Sequence, residues 1–237
     1  RFGVETKLCD LTNVDAVEKL VDDNTCCLFL EVMTNPQLEV VDVRALTEMA
    51  HRHGIPVIAD TTIIPFTQFS AKDLGVDVEV ISSTKYISGG ATSLGGLIID
   101  YGRFPFIGKR LLNEMLFNLG SYMTPQVAYM QTLGLETLDA RYRVQAANAL
   151  ALAKRLCTLK PICNVNYVGL EDNPYHQLSL SQYGETAGAM ITIDLESQEA
   201  CFILLNNLKL IHRATNLFDN RTLAIHPAST IFGLFSA

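Results

Sequence analysis

The chain has 237 residues, of which 49% are hydrophobic and 18% charged, and its 25 acidic and 18 basic side chains give a formal net charge of -7. That apolar content excludes intrinsic disorder, because such a chain buries enough surface to offset its ordering entropy, and the length fits one large domain or two smaller ones. The acidic balance argues against nucleic acid as a partner, and no apolar run approaches the roughly 20 residues that cross a bilayer.

The first residues, Arg1-Phe2-Gly3-Val4-Glu5, lack the basic-then-apolar layout of a signal peptide. A helix is predicted from about Val14 to Val21, capped by Thr12 or Asn13. Cys27–Val32 then reads as a buried strand. Asp42–Arg52 carries Val43, Leu46, Met49 and Ala50 at helical spacing, with Gly54 as terminator. Ile55–Asp60, Val78–Ser82 and Gly96–Asp100 are three further strands, the first ending in a carboxylate. Alternation of this kind implies right-handed crossovers and an α/β fold with a mostly parallel sheet flanked by helices. Ligands of such sheets bind at the carboxyl ends of strands, which directs attention to Glu31–Pro36, Asp60–Thr62 and Ser82–Lys85.

Beyond Gly102 the pattern changes. Ile107–Leu119 reads as a helix, and Pro125 to about Leu159 as a long helical stretch broken near Gly134. Strands at Asn164–Val168 and Met190–Leu195 and a helix at Glu199–Leu208 complete a smaller α+β unit, with the boundary expected near residue 150. Tyr86 and Tyr122 read as packing residues, and the Met and Phe side chains of 115–130 as core or subunit interface. The six cysteines form no CxxC pair. They are expected to be buried thiols of an intracellular, cytoplasmic protein. His51 and His53, two apart at a helix end, diverge and serve that helix terminus rather than a metal.

Ser82-Ser83-Thr84-Lys85 carries the most chemistry. A lysine that follows a buried strand, beside hydroxyls and before Gly89-Gly90, is placed to be desolvated, as imine chemistry requires. The hydroxyls and turn N–H groups are of the kind that hold a phosphate; an exposed loop lysine is the alternative. A P-loop is excluded, because its glycine precedes the lysine. Asp60, ending an apolar strand, needs a partner. That partner is either a protonated pyridine nitrogen or the backbone of its own turn at Thr61 or Thr62.

Four blocks in order carry a resemblance. Glu31–Asp42, Ala50–Gly54 with Val57–Thr62, Ser82–Tyr86 with Gly89-Gly90, and His226–Ser229 closely resemble signature blocks of the Cys/Met-metabolism family of pyridoxal-phosphate enzymes. The resemblance implies a fold-type-I, aminotransferase-like α/β domain. Residues 1–150 would be part of that large cofactor-binding domain plus its connecting helix, and 151–237 part of a small C-terminal domain. It implies that Lys85 forms the internal aldimine and relays protons. Asp60 would meet the pyridine nitrogen, Asn35 the 3-oxygen, and Ser82 and Thr84 the phosphate, with Thr62 near the ring. Gly90–Gly96, Asp100–Phe104 and Ala214–Leu217 resemble the O-acetylhomoserine sulfhydrylase subgroup, which puts Asn216 at the substrate where lyases carry serine.

The expected reaction is γ-replacement on a homoserine ester with sulfide or a thiol, giving homocysteine or methionine. Methionine or cystathionine γ-lyase is the alternative. The expected partners are the small amino-acid substrate and further copies of the chain in a homo-oligomer, a dimer or a homotetramer, with no membrane. Three departures from the family pattern stand out: Thr61, Ala91 in place of histidine and Phe218 in place of glycine. The chain is also expected to begin inside the cofactor domain and to end before the arginine that would bind the substrate carboxylate. That leaves a truncated, non-catalytic homologue as a further alternative.

Overall fold

The computed structural model describes residues 3–233, which form two compact units. The first consists of the residues up to Thr34, Glu39–Ile81 and Leu97–Tyr122. Its centre is a four-stranded sheet of β1 (Leu28–Glu31), β2 (Val57–Asp60), β3 (Val78–Ile81) and β4 (Leu97–Asp100), in that spatial order. The β1–β2 and β2–β3 pairs are parallel, with Glu31 opposite Asp60 and Asp60 opposite Val80, whereas β4 runs antiparallel to β3.

Two capped helices start where the sequence reading places them, the first ending at Glu18 rather than near Val21. In α1 (Val14–Glu18) the Asn13 side chain accepts from the Ala16 N–H. In α2 (Val43–Arg52) the Asp42 carboxylate accepts from Ala45 N–H. Val43, Leu46, Thr47, Met49 and Ala50 are the buried stripe of α2, the amphipathic pattern that drives a helix onto a core. Gly54, at φ +70°, ends it with an N–H donated to the His51 carbonyl, in the left-handed conformation that glycine adopts without a Cβ penalty. His51 and His53 do diverge: His51 Nε2 lies 2.8 Å from Asp77 Oδ2, and His53 Nε2 lies 2.8 Å from Glu18 Oε1. After β4 comes α3 (Pro105–Arg110), which continues as a wider π-turn over Leu111–Phe117.

The second unit consists of Asn35–Leu38, Ser82–Gly96 and the chain from Met123. It holds α4 (Pro125–Glu136), α5 (Leu138–Leu156), β5 (Asn164–Asn166), α6 (His176–Tyr183), β6 (Thr192–Asp194), α7 (Gln198–Asn207), β7 (His212–Arg213) and β8 (Leu223–Ala224). β5 and β6 pair antiparallel, β7 and β8 parallel. Its core gathers Leu138, Tyr142, Ala146, Ala149, Ala153, Tyr167, Val168 and Tyr183. Two of the buried phenols have partners in this core: Tyr142 donates to Thr186 Oγ1, and Tyr167 to the Gly188 carbonyl. A buried hydroxyl without a partner would cost about 1–3 kcal/mol. Gly134 is set by contact rather than by turn geometry, because a Cβ there would lie 1.9 Å from the Ile87 carbonyl oxygen.

Several expectations are corrected. The cysteines are not buried: Cys9, Cys26, Cys157 and Cys163 are exposed and Cys27 and Cys201 half-buried, all as free thiols. The apolar run around Cys26-Cys27 enters the sheet only at Leu28, so neither thiol reaches the core. The expected break near Gly134 is present and falls at Thr137, where the Thr137 hydroxyl and the Arg141 guanidinium both donate to the Gly134 carbonyl. Tyr86 is buried as expected, but Tyr122 is exposed; Met115 and Phe117 are exposed too, which removes the core alternative for them and leaves the subunit-interface one. No helix among the described residues is long and apolar enough to cross a membrane.

Candidate functional site

Ser82–Ser88 is a tight turn. The Lys85 N–H donates to the Ser82 carbonyl at 3.2 Å and the Ser88 N–H to the Ser83 carbonyl at 2.9 Å, while Ser88 Oγ donates to the Thr84 carbonyl at 2.7 Å. Gly89 and Gly90, at φ +70° and +121°, carry the chain out of it. The turn leaves Lys85 half-buried, with Nζ donating to Asn216 Oδ1 at 3.0 Å. Burial pushes the Lys85 amine below its ordinary pKa, because desolvation disfavours the charged form. None of the ion pairs among the described residues uses Lys85. A half-buried amine with a lowered pKa and a neutral hydrogen-bond partner is the chemistry a carbonyl-binding lysine needs.

Thr84 is tied to Gly95. Its hydroxyl accepts from the Gly95 N–H at 3.0 Å and donates to the Gly95 carbonyl at 3.2 Å. Holding a phosphate with that hydroxyl therefore requires its proton to turn away from the carbonyl. Ser83 is fully buried with no partner for Oγ, and a Cβ on Gly95 would lie 2.8 Å from that oxygen and 2.5 Å from Gln131 Nε2, itself unpartnered. These orphaned polar atoms give the turn donor capacity beyond the side chains singled out from the sequence. Ser82 is half-buried beside them.

Asn35 belongs to the same unit, at the head of a strap whose carbonyls are held by later residues of that unit. Thr192 Oγ1 donates to the Pro36 carbonyl at 2.7 Å and Asn166 Nδ2 to the Gln37 carbonyl at 2.5 Å. The Asn35 side chain is half-buried. Asp60 and Thr62 belong to the sheet unit. The Asp60 carboxylate ends β2 and its Oδ1 accepts from the Thr62 N–H at 2.9 Å, the local turn anticipated as one reading of this residue. That bond engages one carboxylate oxygen and leaves the other as an acceptor for a cationic nitrogen. Next to it Thr61 is buried and donates to Glu79 Oε1, whose other oxygen accepts from the Tyr101 phenol.

The residue set therefore divides into a lysine turn bearing Ser82, Thr84 and Lys85 that meets Asn216, a strap headed by Asn35, and a strand-end turn holding Asp60 and Thr62. These groups fit what pyridoxal phosphate needs: an amine of lowered pKa, a carboxylate with a spare acceptor oxygen, an amide and clustered hydroxyls.

The sequence reading picked out Asn216 and Phe218 but not the contacts that the residues after Asn216 make with the lysine turn. Phe218, at φ +57°, stacks on Tyr86 with ring centroids 3.9 Å apart and planes 9° from parallel. Asn220 Nδ2 donates to the Gly89 carbonyl at 2.6 Å. Asp219 is gripped by Arg221, whose Nε and Nη2 lie 2.9 and 3.0 Å from its two oxygens. Those bonds hold the Asp219 carboxyl down to about 2. The one available signal was Phe218 itself, a bulky residue where the resembling family has glycine.

Residues 1–235 match the family described as Cys/Met metabolism PLP-dependent enzyme. Among curated relatives, an L-methionine gamma-lyase of Fusobacterium nucleatum subsp. polymorphum is 36% identical over 97% of this chain and 58% of its own length. An O-succinylhomoserine sulfhydrylase of Pseudomonas aeruginosa is 32% identical over 100% of this chain and 58% of its own. Among solved structures, one from work on the O-acetylhomoserine sulfhydrylase of Wolinella succinogenes superposes with a TM-score of 0.89 at 40% identity, covering 100% of this chain and 71% of that one. A putative O-acetylhomoserine (thiol)-lyase of Campylobacter jejuni superposes at 0.91 with 30% identity, covering 96% of this chain and 61% of that one, and contains a pyridoxyl-lysine phosphate. The chain thus spans about three fifths of the length of these curated relatives. The α/β architecture is that of the fold-type-I pyridoxal-phosphate enzymes. With nearly its whole length inside one family model and the lysine turn in place, the chain belongs to the Cys/Met-metabolism family of PLP-dependent enzymes.

Proposed function

We propose that this chain is the greater part of an enzyme for γ-replacement on O-acetylhomoserine, or a related homoserine ester, with sulfide or a thiol, giving homocysteine or methionine. Pyridoxal phosphate, when bound, supplies the electron sink for carbanion chemistry; the protein supplies attachment, orientation and proton movement. Lys85 would hold the cofactor through its amine, its lowered pKa keeping a larger share of free base, and would move protons between substrate carbons. Asp60 would take the pyridine N–H on its spare carboxylate oxygen, with the Thr62 N–H fixing the carboxylate. Asn35 would donate to the 3-oxygen, Ser82 and Thr84 would serve the phosphate, Thr62 would lie near the ring and Asn216 would face the substrate.

The observation that carries this reading is the 3.0 Å bond from Lys85 Nζ to Asn216 Oδ1. It puts next to the reactive amine an amide where lyases of the family carry serine, and the likeness to sulfhydrylase structures supports the same choice. The 36% identical methionine gamma-lyase supports γ-elimination as the second reading. We further propose that residues 1–150 belong to the large domain and connecting helix and 151–237 to the small domain, in a cytoplasmic homo-oligomer. The test supplies the chain and pyridoxal phosphate with O-acetylhomoserine plus sulfide and, separately, with methionine. Homocysteine from the first pair supports γ-replacement. Methanethiol and 2-oxobutanoate from methionine alone would transfer the assignment to the lyase reading.

A further inference from the structure

The turn Asn216–Arg221 meets the lysine turn at three places: Lys85 with Asn216, Tyr86 with Phe218, and Gly89 with Asn220. Three contacts over six residues hold the two segments together, and Gln145 Nε2 adds a bond to the Asp219 carbonyl at 3.1 Å. Inside this clamp lies a short polar relay. Lys85 Nζ donates to Asn216 Oδ1 at 3.0 Å, and Asn216 Nδ2 donates to Asp219 Oδ2 at 3.4 Å. Asp219 is in turn held by the Arg221 guanidinium and by the Arg221 N–H at 2.9 Å.

The order of this relay follows from what each group can do. An ammonium only donates, an ionised carboxylate only accepts, and a primary amide has one end of each kind. Asn216 therefore bridges Lys85 and Asp219 in one orientation: oxygen to the lysine, nitrogen to the carboxylate. The Asp219 side chain is 3% exposed, and a buried carboxylate stays charged only with a partner. Arg221 supplies it, bidentate, with its own side chain 61% exposed. Neither residue reaches the lysine itself; both act on it through the amide.

We propose that Asp219, ionised by Arg221, is a positioning residue that sets the Asn216 amide with its oxygen toward the Lys85 amine. This rests on the proposed role of Lys85, yet it concerns groups of the protein alone. Without the Asp219 acceptor the amide is free to turn its nitrogen toward Lys85, which favours the neutral amine over the ammonium. The pair Asp219 and Arg221 thus tunes how much free amine the lysine turn presents.

The experiment is competitive acetylation of the full chain with acetic anhydride across alkaline pH, read lysine by lysine by mass spectrometry, without cofactor. Asp219→Ala and Asn216→Ala are each expected to lower the apparent Lys85 pKa by about one unit, a tenfold rise in free amine at a given pH. The double variant should lower it no further than either alone. Asp219→Asn keeps an acceptor of the same shape and should shift Lys85 less than half as far; it also carries the cycle if the alanine variant does not fold. An unchanged Lys85 in Asp219→Ala would overturn the proposal, as would an Asp219 effect that persists when Asn216 is already alanine. Borohydride trapping of pyridoxal phosphate on the unmodified chain is run beside it. Its failure would count against the proposed function and leave the acetylation result to decide the relay.

Discussion

Phe218→Gly sets two opposed effects against each other at one position. The Phe218 side chain is buried, 7% exposed, and stacks on Tyr86 with ring centroids 3.9 Å apart. Removing it forfeits about 1.5–3 kcal/mol of apolar burial and about 0.5–1.5 kcal/mol of aromatic pairing. Against this, its backbone sits at φ +57°, where a non-glycine residue bears about 1–2 kcal/mol of strain that glycine relieves. Burial wins, and the net loss is about 1–3 kcal/mol, or about 2–4 °C in Tm for each kcal/mol in a chain of this size. Phe218→Ala loses the same ring but keeps the strain, so it should be less stable than the glycine variant by about 1 kcal/mol. Urea and thermal unfolding followed by circular dichroism measure the series, with the expected order Phe, then Gly, then Ala. A glycine variant as stable as the parent would refute the reasoning, because the stack would then contribute nothing beyond the strain it imposes.

Gly134→Ala places a Cβ 1.9 Å from the Ile87 carbonyl oxygen. Main chain must move, at a cost of about 3 kcal/mol, and unfolding midpoints unaltered by the substitution would contradict the close approach. Tyr101→Phe removes the donor to Glu79 Oε2, which sits on a side chain 1% exposed, and should cost about 1–3 kcal/mol. In the parent chain the Tyr101 phenol, raised by burial and by Glu79, should resist ionisation beyond the ordinary tyrosine range in a UV titration. Asp219 is depressed to about 2 by the Arg221 hydrogen bonds, below the ~3.9 of an unfolded chain. Its contribution is therefore complete above that unfolded value and is lost as pH falls through the window down to about 2. Arg221→Ala should flatten this acid limb in urea midpoints; an identical limb in both proteins would contradict the pairing.

The parts of the fold that were legible in the sequence are those in which local chemistry and tertiary burial agree. α2 carries its own cap at Asp42, its buried stripe from Val43 to Ala50 and its terminator Gly54. β2 and β3 are short apolar runs followed by polar residues, as a covered parallel sheet demands, whereas β1, read as a buried strand, buries only Leu30 and leaves Phe29 exposed at the sheet edge. The direction of β4 was not legible, because Leu97–Asp100 reads alike in either sense and only its pairing with β3 decides it. α6, His176–Tyr183, alternates apolar and polar residues and offers no helical stripe, and β7 and β8 are two residues each.

At the site, Lys85, Asp60 and the hydroxyls were legible as residue types at strand ends, and Asn35 and Asn216 through resemblance. Asp219 and Arg221 were not. An acidic and a basic residue two apart in a loop read as a solvated pair, and only the burial of Asp219 against Asn216 gives them a place near the lysine. Thr84 was read as a phosphate ligand from the hydroxyls of its turn and from the family resemblance, and the bond that engages its proton with the Gly95 carbonyl depends on a loop return that the sequence does not display.

The most direct measurement is borohydride reduction of the chain mixed with pyridoxal phosphate, followed by peptide mapping, beside a Lys85→Ala control. The account predicts one pyridoxyl group, on the peptide containing Lys85, absent in the control and accompanied by loss of the visible band on reduction. A pyridoxyl group mapped to another lysine, or an adduct equally abundant in Lys85→Ala, would contradict it.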